Sequence, residues 1–188
     1  QLSIAPGDSA YKVKESTTTT IDLEAVGVIP HAHLLAKDIK CNATLPDGTI
    51  QPLIWIKDWD FNWQGQYQYA NPVKLPKGTK IEMEFTYDNS AGNPRNPSKP
   101  PKRVTWGEQT TDEMALCWVQ VMPANESDAF ALKLAAGRSI FGGGDGGNLK
   151  DIIKDAVKKF DEDGDGKLSE GERAKALVGP KAARDLAV

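Results

Sequence analysis

Only two histidines occur in the chain, and one residue separates them, in Pro30-His31-Ala32-His33. Successive side chains on a strand point to opposite faces, so a strand through this segment would project both imidazoles from one side. That arrangement offers two nitrogen ligands to one metal ion, against the plainer reading of two polar rings on a solvated sheet face. A second cluster is Asp161-Glu162-Asp163-Gly164-Asp165-Gly166-Lys167-Leu168-Ser169-Glu170-Gly171-Glu172. It fits the twelve-residue EF-hand calcium loop: Asp161, Asp163 and Asp165 supply oxygens at positions one, three and five, and the Lys167 carbonyl supplies the seventh. Ser169 serves the ninth and Glu172 the bidentate twelfth, while Gly166 allows the sharp bend. Ser169 and Glu172 also have the spacing of a capping box for the helix that follows. Leu168 is the apolar residue that would touch a partner loop, but the sequence holds no second loop of this kind. A lone EF-hand must cover its apolar helix faces elsewhere, which favours structural over sensor-type calcium.

The elements that must carry these groups are mostly strands. From about residue 18 to 122, short alternating segments are separated by turn signals such as Leu45-Pro46-Asp47-Gly48-Thr49 and Leu75-Pro76-Lys77-Gly78-Thr79. Strict alternation in Ile81-Glu82-Met83-Glu84-Phe85-Thr86-Tyr87 places the apolar members inward and the glutamates in water. Trp55, Trp59, Phe61, Trp63, Tyr67 and Trp118 read as core filling of a sandwich in preference to a carbohydrate platform. The run Asp88 to Pro97 is too rich in Asn, Gly and Pro for a strand and reads as a long loop. After Pro123 the composition shifts through Phe130-Ala131-Leu132-Lys133-Leu134, which fits no element clearly, into a glycine-rich linker at 142–147. Beyond it, Leu149, Ile152, Ile153, Ala156, Val157 and Phe160 recur at helical spacing, with Asn148 as cap and Asp151 near the positive end of the dipole. The helix after the acidic loop is expected to end at Gly179-Pro180, with Pro180 opening a last helical stretch through Ala183 to Val188.

A chain of 188 residues supports one ordinary core plus an appendage. The formal charge of −3 is spread without blocks, which argues against a nucleic-acid partner, and no apolar run is long enough for a membrane span. The opening at Gln1, without an initiator Met or signal peptide, reads as a processed product or a cut fragment. Cys41 and Cys117 form no C-x-x-C motif, and whether they pair depends on how the strands are arranged.

The segment from Ile21 to Met122 resembles the C-terminal half of the copper type II, ascorbate-dependent monooxygenases, the family of peptidylglycine α-hydroxylating and dopamine β-monooxygenases, in its bacterial version. The likeness rests on Pro30-His31-Ala32-His33-Leu34, Asp60-Phe61-Asn62-Trp63-Gln64, Asp88-Asn89-Ser90 and Trp106-Gly107-Glu108-Gln109-Thr110-Thr111-Asp112-Glu113-Met114. It implies that His31, His33 and Met114 bind the copper at which oxygen is activated. Two imidazoles and a thioether suit a copper that cycles between oxidation states. Asp112 and Glu113 then read as loop-fixing neighbours of Met114. The resemblance also implies a second, three-histidine copper on an N-terminal domain, which a chain with two histidines cannot build. An electron donor, either that domain, a cytochrome c domain or another protein, must therefore come from elsewhere.

The expected architecture is mainly β: a jelly-roll-type β-sandwich over residues 1–125, a connector at 126–147 and a small C-terminal α-helical EF-hand appendage at 148–188. The expected function is the oxygen-activating half of a copper monooxygenase carrying calcium, in a periplasmic or exported location. The alternatives are a non-catalytic copper-binding or electron-transfer module and a calcium-stabilised interaction domain.

Overall fold

Turn chemistry sets the strand boundaries. In the computed structural model, which describes residues 2–125, 128–130, 132–134 and 149–185, Gly48 and Gly78 sit at φ 85° and 89°, where a side chain would be strained. The strands are β1 (Ser3–Ile4), β2 (Tyr11–Thr18), β3 (Leu23–His31), β4 (Ala36–Thr44), β5 (Ile50–Ile56), β6 (Tyr67–Leu75), β7 (Lys80–Tyr87), β8 (Val104–Thr105) and β9 (Leu116–Pro123). The helices are α1 (Leu149–Phe160) and α2 (Glu170–Asp185). The protein is mainly β with antiparallel sheets. The expected glycine linker and the Asn148 cap lie outside the described residues. Residues 129–130 and 132–134, left unassigned by the sequence, are helical.

The chain divides into two compact units, Gln1–Met122 and Pro123–Val188. In the first, a four-stranded sheet runs in the order β2-β7-β4-β5, a three-stranded sheet in the order β6-β3-β9, and β1 pairs with β8. The glycine turn at Leu45–Thr49 closes the β4–β5 hairpin, whereas the turn before Thr79 carries the chain from β6 in one sheet to β7 in the other. The core gathers Ile4 of β1, Ile39 of β4, Phe85 and Tyr87 of β7 and Val104 of β8 around Ala32, Leu35 and Trp59. Burying each of the larger side chains contributes about 2–3 kcal/mol. Glu84, on the opposite face of β7, meets Lys12 at 2.7 Å and also pairs with Lys14, both on the edge strand β2.

Core filling holds for one of the four tryptophans so read, and Trp106 is exposed as well. Trp59 is 1% exposed, but Trp55, Trp63, Trp106 and Trp118 are all more than half exposed. Trp55 shows the reason. It stands opposite Lys40 on the edge strand β5, where the Lys40 and Lys57 ammonium groups lie over its ring at 5.0 and 4.4 Å and its indole N–H donates to Asp38. Cations on the ring face and an acceptor at its edge satisfy an amphipathic side chain outside the core.

The Asn- and Pro-rich loop is ordered by its own amides. Asn89, Asn93 and Asn96 are buried, and the Asn89 side chain donates to the carbonyls of Ala5 and Lys102. Arg95 fastens the loop to the Trp59 carbonyl at 2.6 Å and to Asp58 at 2.8 Å.

The second unit is a helix–loop–helix. Ala156 of α1, Leu168 of the loop and Ala176 of α2 are buried, and Asp151 and Lys158–Lys159 sit at the ends of α1 that suit their charges. The expected break at Gly179-Pro180 does not occur, since α2 continues through both residues to Asp185. A proline inside a helix removes one hydrogen bond and usually kinks or ends it, and here the helix carries on past it. Among the described residues, no helix is long and apolar enough to cross a membrane.

Candidate functional site

The histidine segment departs from the expected strand. β3 ends at His31, and His33 lies in the connector to β4. The cause is one buried carboxylate. Glu113 Oε1 accepts from the Leu35 amide at 2.6 Å, and Oε2 accepts from the amides of His33 at 2.9 Å and Met114 at 3.2 Å. Amides that would otherwise seek a neighbouring strand are satisfied by a side chain, so the backbone turns. Glu113 is fully buried; burial pushes its carboxyl up to about 7, while the amides of His33, Leu35, Met114 and Ala36 draw it down.

This carboxylate ties the histidine segment to the Met114 segment, nearly eighty positions away. The 106–113 loop that delivers it closes through a bridge between Trp106 and Glu113, with the Gly107 amide on the Glu113 carbonyl at 3.2 Å. A Cβ at Gly107 would overlap the Asp112 carboxylate, so only glycine fits there. Tyr87 completes the clamp by donating its hydroxyl to the Met114 carbonyl at 2.6 Å.

The two imidazole rings meet despite the early end of the strand, with centroids 5.1 Å apart at 84°. His33 is 4% exposed and held at three points: its amide by Glu113, its carbonyl by the Trp59 indole at 3.1 Å, and its ring Nδ1 against the Asp112 carbonyl at 3.1 Å. His31 is half-buried, with Nδ1 2.6 Å from Gln64 Oε1. The Gln64 amide group donates to the Phe61 carbonyl at 2.9 Å, which fixes its oxygen toward His31. Both Nδ1 atoms therefore face carbonyl oxygens, which only accept, so in the neutral rings the proton sits on Nδ1 and the lone pair on Nε2. Phe61 lies edge-on to His33 at 5.8 Å and Trp118 lies 6.4 Å from His31, giving the pair an aromatic surround. Gln64, Tyr87 and Trp59 carry no ligand signature, and only the fold shows their part.

The acidic loop gathers its groups locally. One carboxylate oxygen from each of Asp161, Asp163 and Asp165 lies within 4.8 Å of the others, and these three are the only such cluster of His, Cys, Asp and Glu among the described residues. The loop amides fold inward on them: Gly164 and Gly166 donate to Asp161 at 2.8 and 2.9 Å, Asp165 to Asp163 at 3.1 Å and Lys167 to Asp165 at 2.8 Å. Gly166 takes φ 81°, the left-handed conformation the bend requires. The Asp165 amide draws the Asp163 carboxyl down, yet the adjoining charges of Asp165, Asp161 and Glu172 leave it above its ordinary value. Glu172, buried at the start of α2, accepts from the Ser169 hydroxyl at 2.7 Å, the Ser169 amide at 2.8 Å and the Glu162 amide at 2.7 Å. These bonds, the Ser169 hydroxyl first, hold its carboxyl down to about 2. The reciprocal bond from the Glu172 amide to the Ser169 hydroxyl, 3.4 Å, completes the capping box.

No protein-family model and no curated protein matches this chain.

Proposed function

We propose that His31 and His33, with Met114, hold a copper ion, and that the chain is the oxygen-activating half of a copper monooxygenase built on a jelly-roll sandwich. The observation that carries this reading is that Nδ1 of each ring meets a carbonyl oxygen. A metal-binding histidine characteristically donates its second nitrogen to a carbonyl or carboxylate, which fixes the tautomer and leaves the other lone pair for the ion. His31 and His33 both do so, on rings 5.1 Å apart. The Glu113 carboxylate adds Met114 to the same locality, since its Oε2 accepts from both the His33 and Met114 amides.

Copper bound there would supply one-electron redox chemistry and a coordination position for oxygen. The chain's own part is positional. Asp112 and Gln64 fix the rings, Trp59 fixes the His33 backbone, Glu113 and Tyr87 fix the Met114 backbone, and Phe61 and Trp118 pack beside the rings. With two histidines in the sequence, the second electron must reach the site from another domain or protein, and an exported setting suits such a partnership.

The Asp161–Glu172 loop is proposed as an EF-hand calcium site that stabilises the helical unit. Three converging carboxylates, one of them raised by its neighbours' charge, match a divalent cation that takes oxygen ligands.

Electron paramagnetic resonance of the Cu(II)-loaded chain tests the copper site. Splitting from two imidazole nitrogens is expected in the wild type, and this bound-copper signal should disappear in His31→Ala; a spectrum unchanged by that substitution would remove the assignment.

A further inference from the structure

Two cysteines that the copper and calcium sites do not use come together inside the β unit. Cys41 lies on β4 of the four-stranded sheet and Cys117 on β9 of the three-stranded sheet. Their thiols lie close enough to influence each other's ionisation, Cys117 pushing the Cys41 thiol up and Cys41 drawing the Cys117 thiol down. Both line one cavity of about 220 Å³, together with Thr17 of β2 and Ile81 and Met83 of β7. Met83 stands directly across the β4–β7 ladder from Cys41. The cavity wall is largely apolar, with Glu15, Ser16 and Thr17 of β2 as its other polar lining residues. No third cysteine exists in the chain to compete.

We propose that Cys41 and Cys117 form a redox pair that closes into a disulfide linking β4 to β9. Three observations support closure. The two cysteines face each other across one cavity, that cavity leaves side-chain room for the shift a bond requires, and the two residues differ in access: Cys41 is 1% exposed, whereas Cys117 is half-buried. Access makes Cys117 the attacking sulfur, and the neighbouring Cys41 thiol favours its thiolate. The oxidant is a small-molecule disulfide. The Cys117 thiolate attacks one of its sulfurs and releases one thiolate, forming a mixed disulfide. Cys41 then gives its proton to solvent and attacks the Cys117 sulfur, expelling the second thiolate. In sum, the protein loses two electrons and two protons, and the oxidant becomes two thiols.

The bond would join the strand that leaves the His33 segment to the strand that follows Met114. In the reduced chain Glu113 ties those segments at one end; the disulfide would tie them at the other. Oxidation thus converts a sheet-to-sheet contact into a covalent staple enclosing most of the β unit.

The test exposes the metal-free full chain to oxidised glutathione under native conditions, quenches with acid, and alkylates remaining thiols after unfolding. The expected result is joint loss of both alkylation sites, a mass lower by two hydrogens, a Cys41–Cys117 linked peptide and a higher urea midpoint that dithiothreitol reverses. Cys41→Ser should stop at a single glutathione on Cys117. Two thiols still open to alkylation, a glutathione retained on wild-type Cys117, a disulfide-linked dimer, or an unchanged urea midpoint after closure would each overturn the proposal. The readout involves neither copper nor calcium, so its failure leaves the metal sites untouched.

Discussion

The histidine site and the acidic loop solve the same problem, holding electron-pair donors together, by opposite means. The loop needs twelve consecutive residues, and its carboxylates are organised by amides two to five positions away. The histidine site needs a carboxylate from nearly eighty residues downstream, an indole from β5's far side and an amide from the loop before β6. The first is a local motif that is largely exposed, the second a tertiary construction whose key group is fully buried. A local site can be read from spacing and lost with little effect on the fold. A tertiary site fails together with the packing that makes it.

The largest effect should therefore come from Glu113. Glu113→Ala leaves the amides of His33, Leu35 and Met114 buried without an acceptor, at roughly 1–3 kcal/mol each, so a loss of about 4 kcal/mol or more is expected in urea denaturation. Glu113→Gln keeps the shape but turns a donor toward those amides and should lose about half as much. A loss below about 1 kcal/mol would show that the clamp does not hold the segment.

Next comes the acidic loop proposed to bind calcium, where removing the carboxylate at its twelfth position with Glu172→Gln should weaken calcium binding at least tenfold by titration calorimetry. The melting of the β unit should stay unchanged, because the two units fold around separate cores. The loop also predicts a pH dependence. Glu172 binds a proton less readily folded, with its carboxyl at about 2, than unfolded, at 4.5. Its contribution to the helical unit is complete above 4.5 and disappears as pH falls from 4.5 toward 2. Helical circular dichroism of Glu172→Gln should lose that part of the acid transition.

A smaller effect is expected at Gln64, an exposed member of the histidine site's surround. Gln64→Ala frees the His31 ring from its acceptor, and copper affinity should drop about tenfold with the fold intact. Smallest of all, Lys80→Ala breaks only an exposed pair with Glu82 and should change stability by less than about 0.5 kcal/mol.

What the sequence made legible follows the same division. The Ser169–Glu172 capping box and the turns at Gly48 and Gly78 are contiguous patterns, and each has the local geometry its spacing implies. The alternation of Ile81–Tyr87 correctly buries Phe85 and Tyr87, although Ile81 and Met83 are only half-buried beside the cysteine cavity. The end of β3 at His31 was not legible, because the acceptor that turns the chain there is Glu113. Nor was the exposure of four tryptophans, since an aromatic satisfied by lysines, like Trp55, has the same letter as one in the core. The continuation of α2 through Pro180 shows the limit of punctuation rules, which state a bias and not a boundary.

The central claim is that one copper binds at the paired histidines, independent of the calcium loop. Elemental mass spectrometry should count both metals on wild type, His31→Ala and Glu172→Gln after loading with Cu(II) and Ca(II) and removal of the excess. The account predicts one copper and one calcium per wild-type chain, copper lost in His31→Ala with calcium retained, and the reverse in Glu172→Gln. Copper retained at full stoichiometry in His31→Ala, or absent from the wild type, would contradict it.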